Sequence, residues 1–579
     1  MNLTPEERAI GIENFRAAVG SKLMRRDFLH KSAQQGLASG AGLGAYYYGY
    51  GDSVKEPLRI GVIGTGDEGS VLLGAINPKF IQVKAISDIR PYSVHRAFHG
   101  DWYGDSDLLA IRPGLITKYE WKSEDEARKN VKVYGDYHDL INNAKPDGLE
   151  AVIIALPLHL HASAAIAAMK AGLHVLTEKL MGHSVRECKE MARVADETGL
   201  YLVTGHQRHY NVLYDNAVYM ISRGVIGDIH HIRAQWHRGN LPGSDSWQQP
   251  LPQKSKPDDP QAESLAKKLK SWQGQLDAAK KAKDKSLAQW EKRVAQVMAQ
   301  IADEAVEAEK FGYEAKEIKD GAGKVVYKVP AIEELIRWRL WNRTGGGLMA
   351  ELGSHQLDAA SIFIAAMHDG KKQYPLNVAA AGNRPIFPPD RDVEDHVFCL
   401  FEFPAPGYDA DDPVDSMKKI GVAYASINGN GFGGYGETVF GTEGTLLLER
   451  EQEALLYRTS DTLSKIRLAK DGKNEKRPAK IELNDAGDEV SAAVGTQALQ
   501  GISRGYTEQE EHWAWCIRNP DNDLPPHCHP KVALTDAVIA LTTNMAAREG
   551  QRIEFKKEWF DPKSDETPEG DKPDLSRYA

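Results

Sequence analysis

Apolar and polar positions follow one repeating pattern through residues 57–207. Short runs of consecutive apolar residues alternate with segments in which apolar residues recur every three or four positions. The runs are typical of strands that are covered on both faces, and the intervening segments are typical of helices. The pattern therefore predicts an α/β doubly wound domain with a parallel sheet. The apolar runs are 58–63, 81–88, 149–157, 174–180 and 200–207.

The pattern changes after residue 207. Residues 208–555 contain strand-like segments with few helices between them, and two helical segments close this part of the chain. Such an order predicts an α+β domain with a largely antiparallel open sheet, followed by a C-terminal tail at 556–579. The predicted strands are 376–384, 394–403, 419–428, 436–441 and 444–449, and the predicted closing helices are 507–518 and 530–548.

A charged insertion at 243–330 interrupts the second domain. Leucine, tryptophan, valine and isoleucine recur in it at alternating intervals of three and four, with a break near the lysine-rich segment 280–286. This spacing predicts one long helix or a helical hairpin of coiled-coil type. Three roles are open to it: a solvated appendage, an oligomer contact or a lid over a site. We favour the first two over the lid.

The first 56 residues form a leader. Arg25 and Arg26 are followed by Phe28 and Leu29 and then by a weakly apolar run rich in glycine and alanine. This order resembles a twin-arginine export signal. It predicts that the translocase of that pathway carries the folded protein to the periplasm. The alternative is an ordinary N-terminal amphipathic helix, and the protein would then stay in the cytoplasm.

Composition narrows the range of functions. The 579 residues carry a net charge of −10, with 41% hydrophobic and 27% charged residues. An acidic chain of this kind is not expected to bind nucleic acid, which requires a basic face. The four cysteines are scattered and form no C-x-x-C pair, so a disulfide framework or a thiolate zinc site is not expected.

Three glycines follow the first predicted strand. Gly64, Gly66 and Gly69 form G-x-G-x-x-G between a strand and a helix, and Asp88 ends the next strand about 20 residues later. The glycines allow the backbone to approach a pyrophosphate, and the acid is placed to bind a ribose hydroxyl. This combination predicts a Rossmann domain that prefers NAD over NADP. Arg90 weakens the preference without reversing it.

Four further segments carry a family resemblance: "ALPLHLHA", "GLHVLTEKL", "GHQRHYNVLY" and "GGGLMAELGSHQLD". Together with the glycine turn, they make residues 57–240 and 335–555 similar to the glucose–fructose oxidoreductase and inositol dehydrogenase (Gfo/Idh/MocA) family. The resemblance implies a Rossmann domain joined to an α/β domain whose open sheet forms a homodimer or homotetramer interface. It also implies a sugar, inositol or related polyol as substrate.

The resemblance extends to site residues, with two departures. The family's Glu-Lys-Pro element matches Glu178, Lys179 and Leu180, which implies that Lys179 lies beside the nicotinamide. Leucine replaces a proline that can set a cis turn, so this chain needs another way to aim Lys179. The family's Asp-x-x-x-His pair matches Glu351 and His355, with glutamate replacing aspartate.

The end of the strand at 149–157 completes the expected cofactor site. Leu156, Pro157 and His159 follow this strand near the topological switch point, where ligands bind in open α/β sheets. His159 could equally cap the next helix. The residues expected to bind NAD are Gly64, Thr65, Gly66, Gly69, Asp88, Leu156, Pro157, His159, Glu178 and Lys179.

Glu351, His355 and Asp358 share one face of a predicted helix. This stripe has three interpretations: a metal site, a structural network or a proton relay. A dedicated set of zinc ligands is absent from the sequence, so no metal is expected. Oxidation of a carbinol requires a base near neutral pKa, and His355 is the candidate. Lys179 could share the proton, and Glu351 could orient the ring or hold a hydroxyl.

The remaining candidates are substrate contacts. Arg208, His209 and Tyr210 follow the last Rossmann strand, and Asp358 lies one turn after His355. Each could bind a substrate hydroxyl or serve only the structure. The sequence as a whole predicts an NAD-dependent oxidoreductase for a sugar, polyol or glycoside carbinol, with a tightly bound and recycled cofactor. The alternatives are an NAD-dependent glycoside hydrolase or lyase using transient oxidation and elimination, and a non-catalytic NAD-binding protein.

Overall fold

The computed structural model describes residues 3–20, 47–102, 106–252, 254–256, 258–468, 481–483 and 504–578. The paired arginines of the predicted export signal lie outside these ranges. The first helix is α1 (Pro5–Val19), which begins in a capping box: Thr4 accepts a hydrogen bond from the backbone of Glu7, and Glu7 accepts one from the backbone of Thr4. None of the helices described is both long enough and apolar enough to cross a membrane.

Residues 58–204 build a six-stranded parallel sheet in the order β3-β2-β1-β4-β5-β6. The predicted parallel domain is therefore confirmed. The strand order reverses between β1 and β4, so the carboxyl ends of these two strands open a crevice. The strands are β1 (Leu58–Ile63), β2 (Ile81–Ser87), β3 (Lys132–Tyr134), β4 (Ala151–Ile154), β5 (His174–Thr177) and β6 (Leu202–Thr204).

Eight helices connect these strands and cover both faces of the sheet. They bury apolar side chains against strands that are themselves buried, which explains the continuous apolar runs in the sequence. The helices are α2 (Asp67–Ala75), α3 (Pro91–His99), α4 (Ser106–Ile111), α5 (Gly114–Lys118), α6 (Glu124–Asn130), α7 (Tyr137–Asn142), α8 (His161–Lys170) and α9 (Val185–Thr198).

The second domain starts with α10 (Val212–Ser222) and β7 (Ile229–His237), and the insertion follows. Its helices α11 (Pro260–Ala282) and α12 (Leu287–Ala302) form a hairpin, with the break where the lysine-rich segment predicts it. The rings of Trp272 and Trp290 meet across the hairpin with centroids 6.3 Å apart. A strand pair, β8 (Lys316–Lys319) and β9 (Val325–Val329), completes the insertion and was not predicted.

The insertion packs on the Rossmann domain. Gln296 of α12 accepts a hydrogen bond from the backbone of Trp102 at 2.7 Å and donates one to Asp101 at 3.0 Å. Asp303, directly after α12, forms an ion pair with Arg90. The hairpin is therefore not the solvated appendage that we favoured. The sequence did not predict this contact, because a heptad pattern records apolar spacing and not the polar residues that bind another domain.

The second sheet has eight strands in the order β15-β14-β13-β7-β12-β11-β10-β18. All neighbouring pairs are antiparallel except β7 and β12, so the predicted largely antiparallel sheet is confirmed. A separate pair is formed by β16 (Ile466–Leu468) and β17 (Ile481–Leu483). The other strands are β10 (Asn377–Asn383), β11 (His396–Pro404), β12 (Lys419–Ile427), β13 (Tyr435–Gly441), β14 (Gly444–Glu449), β15 (Glu453–Arg458) and β18 (Ile553–Glu554).

A π-helical turn, Met349–Gly353, precedes the helix that carries His355. The sequence predicted a regular helix through this stretch, which is wrong for these five residues. A π-turn widens the helix locally and changes the direction in which Glu351 points relative to His355. The last helices are α13 (Ala331–Ile336), α14 (Asn342–Gly345), α15 (Ser354–Ala366), α16 (Tyr506–Arg518) and α17 (Pro530–Glu549).

Helix α1 of the predicted leader packs on the β15 edge of the second sheet. Arg8 forms ion pairs with Glu449 and Glu453, and Asn14 donates to the backbone oxygen of Leu456 at 3.1 Å. Phe15 is almost completely buried in this contact. The first described segment therefore adds apolar surface to the core of the second domain.

Candidate active site

A cavity of about 1010 Å³ lies between the two domains, at the carboxyl ends of the Rossmann strands. The Rossmann domain supplies the glycine turn and the loops after β2, β4 and β5, and the second domain supplies the π-turn and the start of α15. The insertion closes one side with Gln300, Phe311 and Tyr313. The cavity is therefore formed jointly by all three parts of the chain.

The glycine turn has the geometry that a pyrophosphate requires. Gly64 has a φ of +84°, and a Cβ there would collide with the carbonyl oxygen of Ala155. A Cβ on Gly69 would collide with the carbonyl oxygen of Gly64, whereas one on Gly66 would meet nothing within 4 Å. Helix α2 begins after Gly66 without a side-chain cap, so its first N–H groups are available to an anion. These features fit a dinucleotide.

Asp88 lies at the end of β2 on the cavity wall, as predicted. One of its oxygens accepts from the backbone N–H of Thr65 at 2.8 Å, and the other accepts from that of Arg90 at 2.9 Å. Burial raises the pKa of Asp88, and these two backbone hydrogen bonds oppose the increase. Each carboxylate oxygen can accept more than one hydrogen bond, so Asp88 can still bind a ribose hydroxyl.

Seven of the ten predicted NAD contacts line the cavity: Gly64, Gly66, Asp88, Leu156, Pro157, Glu178 and Lys179. The other three lie behind the wall. Gly69 provides the close approach of α2, and Thr65 supports Asp88. His159 packs against Tyr313 with ring centroids 5.7 Å apart, and burial, followed by the charge of Arg343, lowers its pKa to about 4.

Lys179 projects from the loop after β5 toward the second domain. Its ammonium donates to the backbone oxygen of Glu351 at 2.8 Å. The Lys179–Leu180 peptide bond is cis, the geometry that the family's proline would favour. The Leu180 carbonyl oxygen lies 2.8 Å from Nδ1 of His161.

Glu178 is buried beside Lys179 and accepts a hydrogen bond from its backbone N–H at 3.0 Å. Burial, and then the charge of Glu68, raises the pKa of Glu178 to about 8. A Cβ at position 205 would lie 2.6 Å from the Glu178 carboxylate, so Gly205 leaves the room that this side chain occupies. The raised pKa favours the protonated form of Glu178, which can donate a hydrogen bond.

His355 lines the cavity on the opposite side from the glycine turn. Its ring lies against Trp236, with centroids 5.5 Å apart, and its ring nitrogens make no hydrogen bond to the described residues. Burial, followed by the positive charges of Lys179 and Arg208, holds the pKa of His355 well below its usual range. The imidazole is therefore neutral and can accept a proton from a bound hydroxyl, although its pKa lies below the near-neutral value expected of the base, because the site is buried and positively charged.

Glu351 does not orient His355. Its carboxylate accepts from Nε of Arg339 at 2.9 Å. Burial raises the pKa of Glu351, but the charges of Arg339 and Lys179 outweigh it, and the net pKa lies below the ordinary value. Glu351 is thus an anion held by Arg339 on the cavity wall, where it can accept a hydrogen bond from a substrate hydroxyl.

Arg208 and Tyr210 lie in the core behind the cavity. Arg208 is 1% exposed, donates to Glu437 at 3.0 Å and to the backbone oxygen of His355 at 2.6 Å, and pairs with Glu451 at 2.8 Å. The Tyr210 hydroxyl lies 2.9 Å from Nδ1 of His512. Neither side chain reaches the cavity, so their positions do not support the predicted substrate contact.

His209 and Asp358 also lie off the cavity wall. Nε2 of His209 is 2.8 Å from the Asp358 carboxylate, which also receives a hydrogen bond from Lys372 at 3.3 Å. His209, and then Lys372, hold the pKa of Asp358 well below its usual range despite burial. These contacts fit the structural interpretation of Asp358 rather than substrate binding.

The same region holds the one group among the described residues that could bind a metal. Ligand atoms of His206, Asp358 and Asp536 lie within 4.8 Å of one another, and all three are buried. The Lys372 ammonium lies 2.6 Å from Asp536 and already neutralises the carboxylates. This group differs from the Glu351 and His355 set that the sequence offered for a metal.

Several cavity residues were missed in the sequence. They are aromatic and basic side chains from the second domain and from the segment that leads into the glycine run at 345–347. The clustering of tryptophan and arginine at 337–341 was the available signal, because both residue types are common in binding sites. The missed residues include Trp236, Arg238, Trp247, Trp338, Arg339 and Tyr506.

A parallel sheet with a glycine turn at its switch point, an acid after β2 and a Lys–His pair in one cavity are typical of NAD-binding oxidoreductases of the Rossmann class. The family model described as "Oxidoreductase family, NAD-binding Rossmann fold" (GFO_IDH_MocA) matches residues 58–206. The match covers the Rossmann domain and supports the resemblance seen in the sequence.

Curated relatives match over part of their length. A 1-carboxy-3-chloro-3,4-dihydroxycyclo hexa-1,5-diene dehydrogenase of Comamonas testosteroni is 29% identical over 31% of this chain and 37% of its own. A glycosyl hydrolase family 109 protein of Solibacter usitatus is 23% identical over 36% of this chain and 45% of its own. A scyllo-inositol 2-dehydrogenase (NADP(+)) of Bacillus subtilis is 26% identical over 32% of this chain and 42% of its own. The chain thus spans less than half of each of these relatives.

A solved structure supports the fold. The inositol dehydrogenase homolog from Azotobacter vinelandii, complexed with NAD+, superposes with a TM-score of 0.50 at 15% identity. The superposition covers 87% of this chain and 98% of that one. Both domains of the fold are therefore shared.

Proposed function

We propose that this protein is an NAD-dependent oxidoreductase that acts on a carbinol carbon of a sugar, polyol or glycoside. The observation that carries the proposal is the meeting of Lys179 and His355 with the dinucleotide turn in one cavity. Lys179 approaches from the Rossmann side and His355 from the second domain, so a substrate between them would face the cofactor site.

The proposed chemistry assigns each group one task. When bound, NAD supplies the hydride acceptor. The neutral imidazole of His355 accepts the hydroxyl proton of the substrate. Lys179, held by the Glu351 carbonyl oxygen, donates a hydrogen bond to the substrate oxygen and stabilises the negative charge that develops there. The carboxylate of Glu351 accepts a hydrogen bond from a second hydroxyl of the substrate.

The far wall of the cavity suits a polyhydroxylated ring. Trp236 and Trp338 line the cavity, and aromatic side chains of this kind can pack against the C–H faces of sugars. Arg238 and Asp245 add a donor and an acceptor on the same wall. A few placed polar groups among aromatic side chains are typical of sites for small polar ligands.

The direct test is to incubate the purified protein with NAD and a panel of sugars, inositols and glycosides and to follow reduced nicotinamide spectroscopically. We expect turnover on at least one compound and its loss in His355→Asn. If wild type and His355→Asn both bind NAD but oxidise no compound in the panel, the non-catalytic alternative replaces this proposal.

A second candidate function is glycoside cleavage by transient oxidation, elimination and re-reduction. Two matched relatives are glycosyl hydrolase family 109 proteins, from Solibacter usitatus and Stenotrophomonas maltophilia. A transient ketone acidifies the adjacent C–H, and the same His355 and Lys179 could then act as bases. Release of aglycone without net accumulation of reduced nicotinamide would favour cleavage, whereas stoichiometric accumulation would favour oxidation.

We also propose that NAD is tightly held and recycled in place. The insertion walls one side of the cavity, which restricts the route by which a bound dinucleotide would leave. The test is to pass the purified protein through a desalting column and to assay the protein fraction for nicotinamide. Retention at close to one equivalent is expected, and an empty protein that exchanges cofactor freely would contradict the idea.

Export by the twin-arginine translocase remains our proposal for the location. Arg25 and Arg26, followed by Phe28 and Leu29, support it. Cell fractionation should find the wild type in the periplasm, and a variant with both arginines replaced by lysine should stay in the cytoplasm. An unchanged distribution would favour the cytoplasmic alternative.

The second sheet is the proposed oligomer interface. Phe398 and Leu400 of β11 are 43% and 63% exposed on its open face, where an apolar pair is costly in water. Light scattering should show a dimer or tetramer, and Leu400→Asp should shift it toward the monomer. A monomeric wild type would contradict this proposal.

A further inference from the structure

We propose that Asp303 of the insertion is a specificity-determining residue that favours NAD over NADP by occupying Arg90. The inference rests on the proposed cofactor site and deepens it. The preference would then depend on a segment outside the Rossmann domain, in addition to the acid at the end of β2.

The contact is direct and buried. Nε of Arg90 donates to Oδ2 of Asp303 at 2.9 Å, and its terminal nitrogen lies 2.9 Å from the same oxygen. The other oxygen of Asp303 accepts from the backbone N–H of Tyr92 at 2.9 Å. The Asp303 side chain is 0% exposed, whereas that of Arg90 is 12% exposed and lines the cavity.

The location is where the cofactor's adenosine ribose is expected. Arg90 follows Asp88 by two residues, and the Asp88 carboxylate accepts a hydrogen bond from the backbone N–H of Arg90 at 2.9 Å. In Rossmann domains an arginine near this position accommodates the 2′-phosphate of NADP, while the acid binds the 2′-hydroxyl of NAD. The chain carries both residue types, and Arg90 weakens the preference for NAD that the sequence predicts.

The negative charge of Asp303 favours NAD, because it neutralises the arginine that would otherwise attract a 2′-phosphate. The two carboxylates and one guanidinium leave a net negative charge around the expected 2′ position. A 2′-phosphate would meet this charge, and it would have to displace Asp303 to obtain a bidentate contact with Arg90. A 2′-hydroxyl carries no charge to be repelled and does not need to displace Asp303. Other charged residues also line the cavity, and among them Arg96 is engaged by Asp67 at 2.7 Å.

The insertion is fixed in place independently of this ion pair. Gln296 holds the backbone of Trp102, and Phe311 packs with Tyr313 in the apolar cluster that includes Ile89. Removing one charge from Asp303 should therefore leave the hairpin docked. Asparagine keeps the side-chain shape and an acceptor for the N–H of Tyr92.

The test compares Asp303→Asn with Glu304→Gln, which removes the neighbouring charge of a residue that pairs with Lys254 rather than Arg90. Dissociation constants for NAD and NADP are measured by fluorescence titration at fixed salt. In Asp303→Asn we expect NADP binding to tighten about tenfold relative to NAD, the effect of one released charge-assisted contact. Glu304→Gln should keep the wild-type ratio.

Two further variants complete the design. Arg90→Ala in the Asp303→Asn background should abolish the gain for NADP. Arg90→Ala in the wild-type background should change the NADP to NAD ratio by less than about twofold, because Arg90 is already engaged. This single variant tests the proposal even if Asp303→Asn does not fold.

The outcomes separate this inference from the proposed function. An unchanged ratio in folded Asp303→Asn, or a tenfold loss of NADP affinity in Arg90→Ala alone, would overturn the role of Asp303 while NAD binding by the wild type still supports the cofactor site. A wild type that binds neither nucleotide would overturn the cofactor site itself.

Discussion

The ammonium of Lys179 donates a hydrogen bond to the backbone oxygen of Glu351, 2.8 Å away. This contact joins the loop after β5 to the π-helical turn before α15, and so connects the two domains beside the cavity. A π-turn leaves a carbonyl oxygen outside the regular α-helical ladder, where a side chain can bind it. The position of Lys179 therefore depends on both domains.

Lys179→Met should lower turnover by about 10²-fold, because the developing charge on the substrate oxygen loses a donor. The affinity for NAD should change much less, since the glycine turn and Asp88 are untouched. Steady-state kinetics and NAD titration measure the two effects. Lys170→Met, far from the cavity on α8, is the control, and equal losses in both variants would contradict the assignment.

His355→Asn should reduce kcat by about 10²–10⁴-fold, the usual contribution of a general base. The pKa of His355 lies well below its usual range, so in the wild type the acid limb of the rate profile should fall below pH 6.5. His230→Asn replaces an exposed histidine of β7 and should leave the profile unchanged. A wild-type acid limb above pH 7 would rule out His355 as the base.

Gly66→Ala and Gly69→Ala should separate cofactor binding from stability. The methyl group at position 66 meets no protein atom within 4 Å, so folding is kept, but it intrudes on the expected pyrophosphate position and should weaken NAD about tenfold. At position 69 it collides with the Gly64 carbonyl and should cost about 1–3 kcal/mol of stability. Melting curves and NAD titrations distinguish the two, and a stable Gly69→Ala with normal affinity would contradict the model of the turn.

Arg208→Met should destabilise the protein by about 3–5 kcal/mol, because it leaves the buried carboxyl of Glu437 without its cation and Glu451 with Arg504 alone. Urea unfolding measures this loss. Arg552→Met removes an exposed arginine that pairs with Glu402 and should cost less than about 1 kcal/mol. If Arg208→Met instead weakens substrate binding without a loss of stability, the original prediction of a substrate contact is restored.

Stability should also depend on buried histidines. Burial lowers the pKa of His206 to about 3, so the unfolded state binds more protons than the folded state below pH 6.5. The contribution of His206 is complete above that pH and declines as the pH falls, by about 2 kcal/mol at pH 5. Urea unfolding between pH 7.5 and 5 gives the free energy of unfolding of the wild type and of His206→Gln. As the pH falls, the wild type should lose more of this free energy than the variant. His230→Gln should show no such trend.

Some departures from expectation show what a sequence pattern lacks. The heptad spacing of the insertion predicted its two helices and the break between them, but not that Gln296 and Asp303 dock it on the Rossmann domain. The spacing of Glu351 and His355 suggested one helical face, but the π-turn directs Glu351 to Arg339. Both outcomes depend on partners more than ten residues away in the chain, which no local periodicity encodes.

The sequence by itself determined the parallel sheet, the glycine turn with Asp88, the mostly antiparallel second sheet and the identity of Lys179 and His355 as candidates. The sheets and the glycine turn follow from local periodicity and residue types, His355 from the base that a proton transfer requires, and Lys179 from the family resemblance. Only the tertiary structure decided which polar residues face the cavity. It placed Arg208, His209 and Tyr210 behind the wall, brought Trp236 and Arg339 to it, and paired Asp303 with Arg90. Burial and ion pairing are properties of neighbours in space, not of neighbours in the chain.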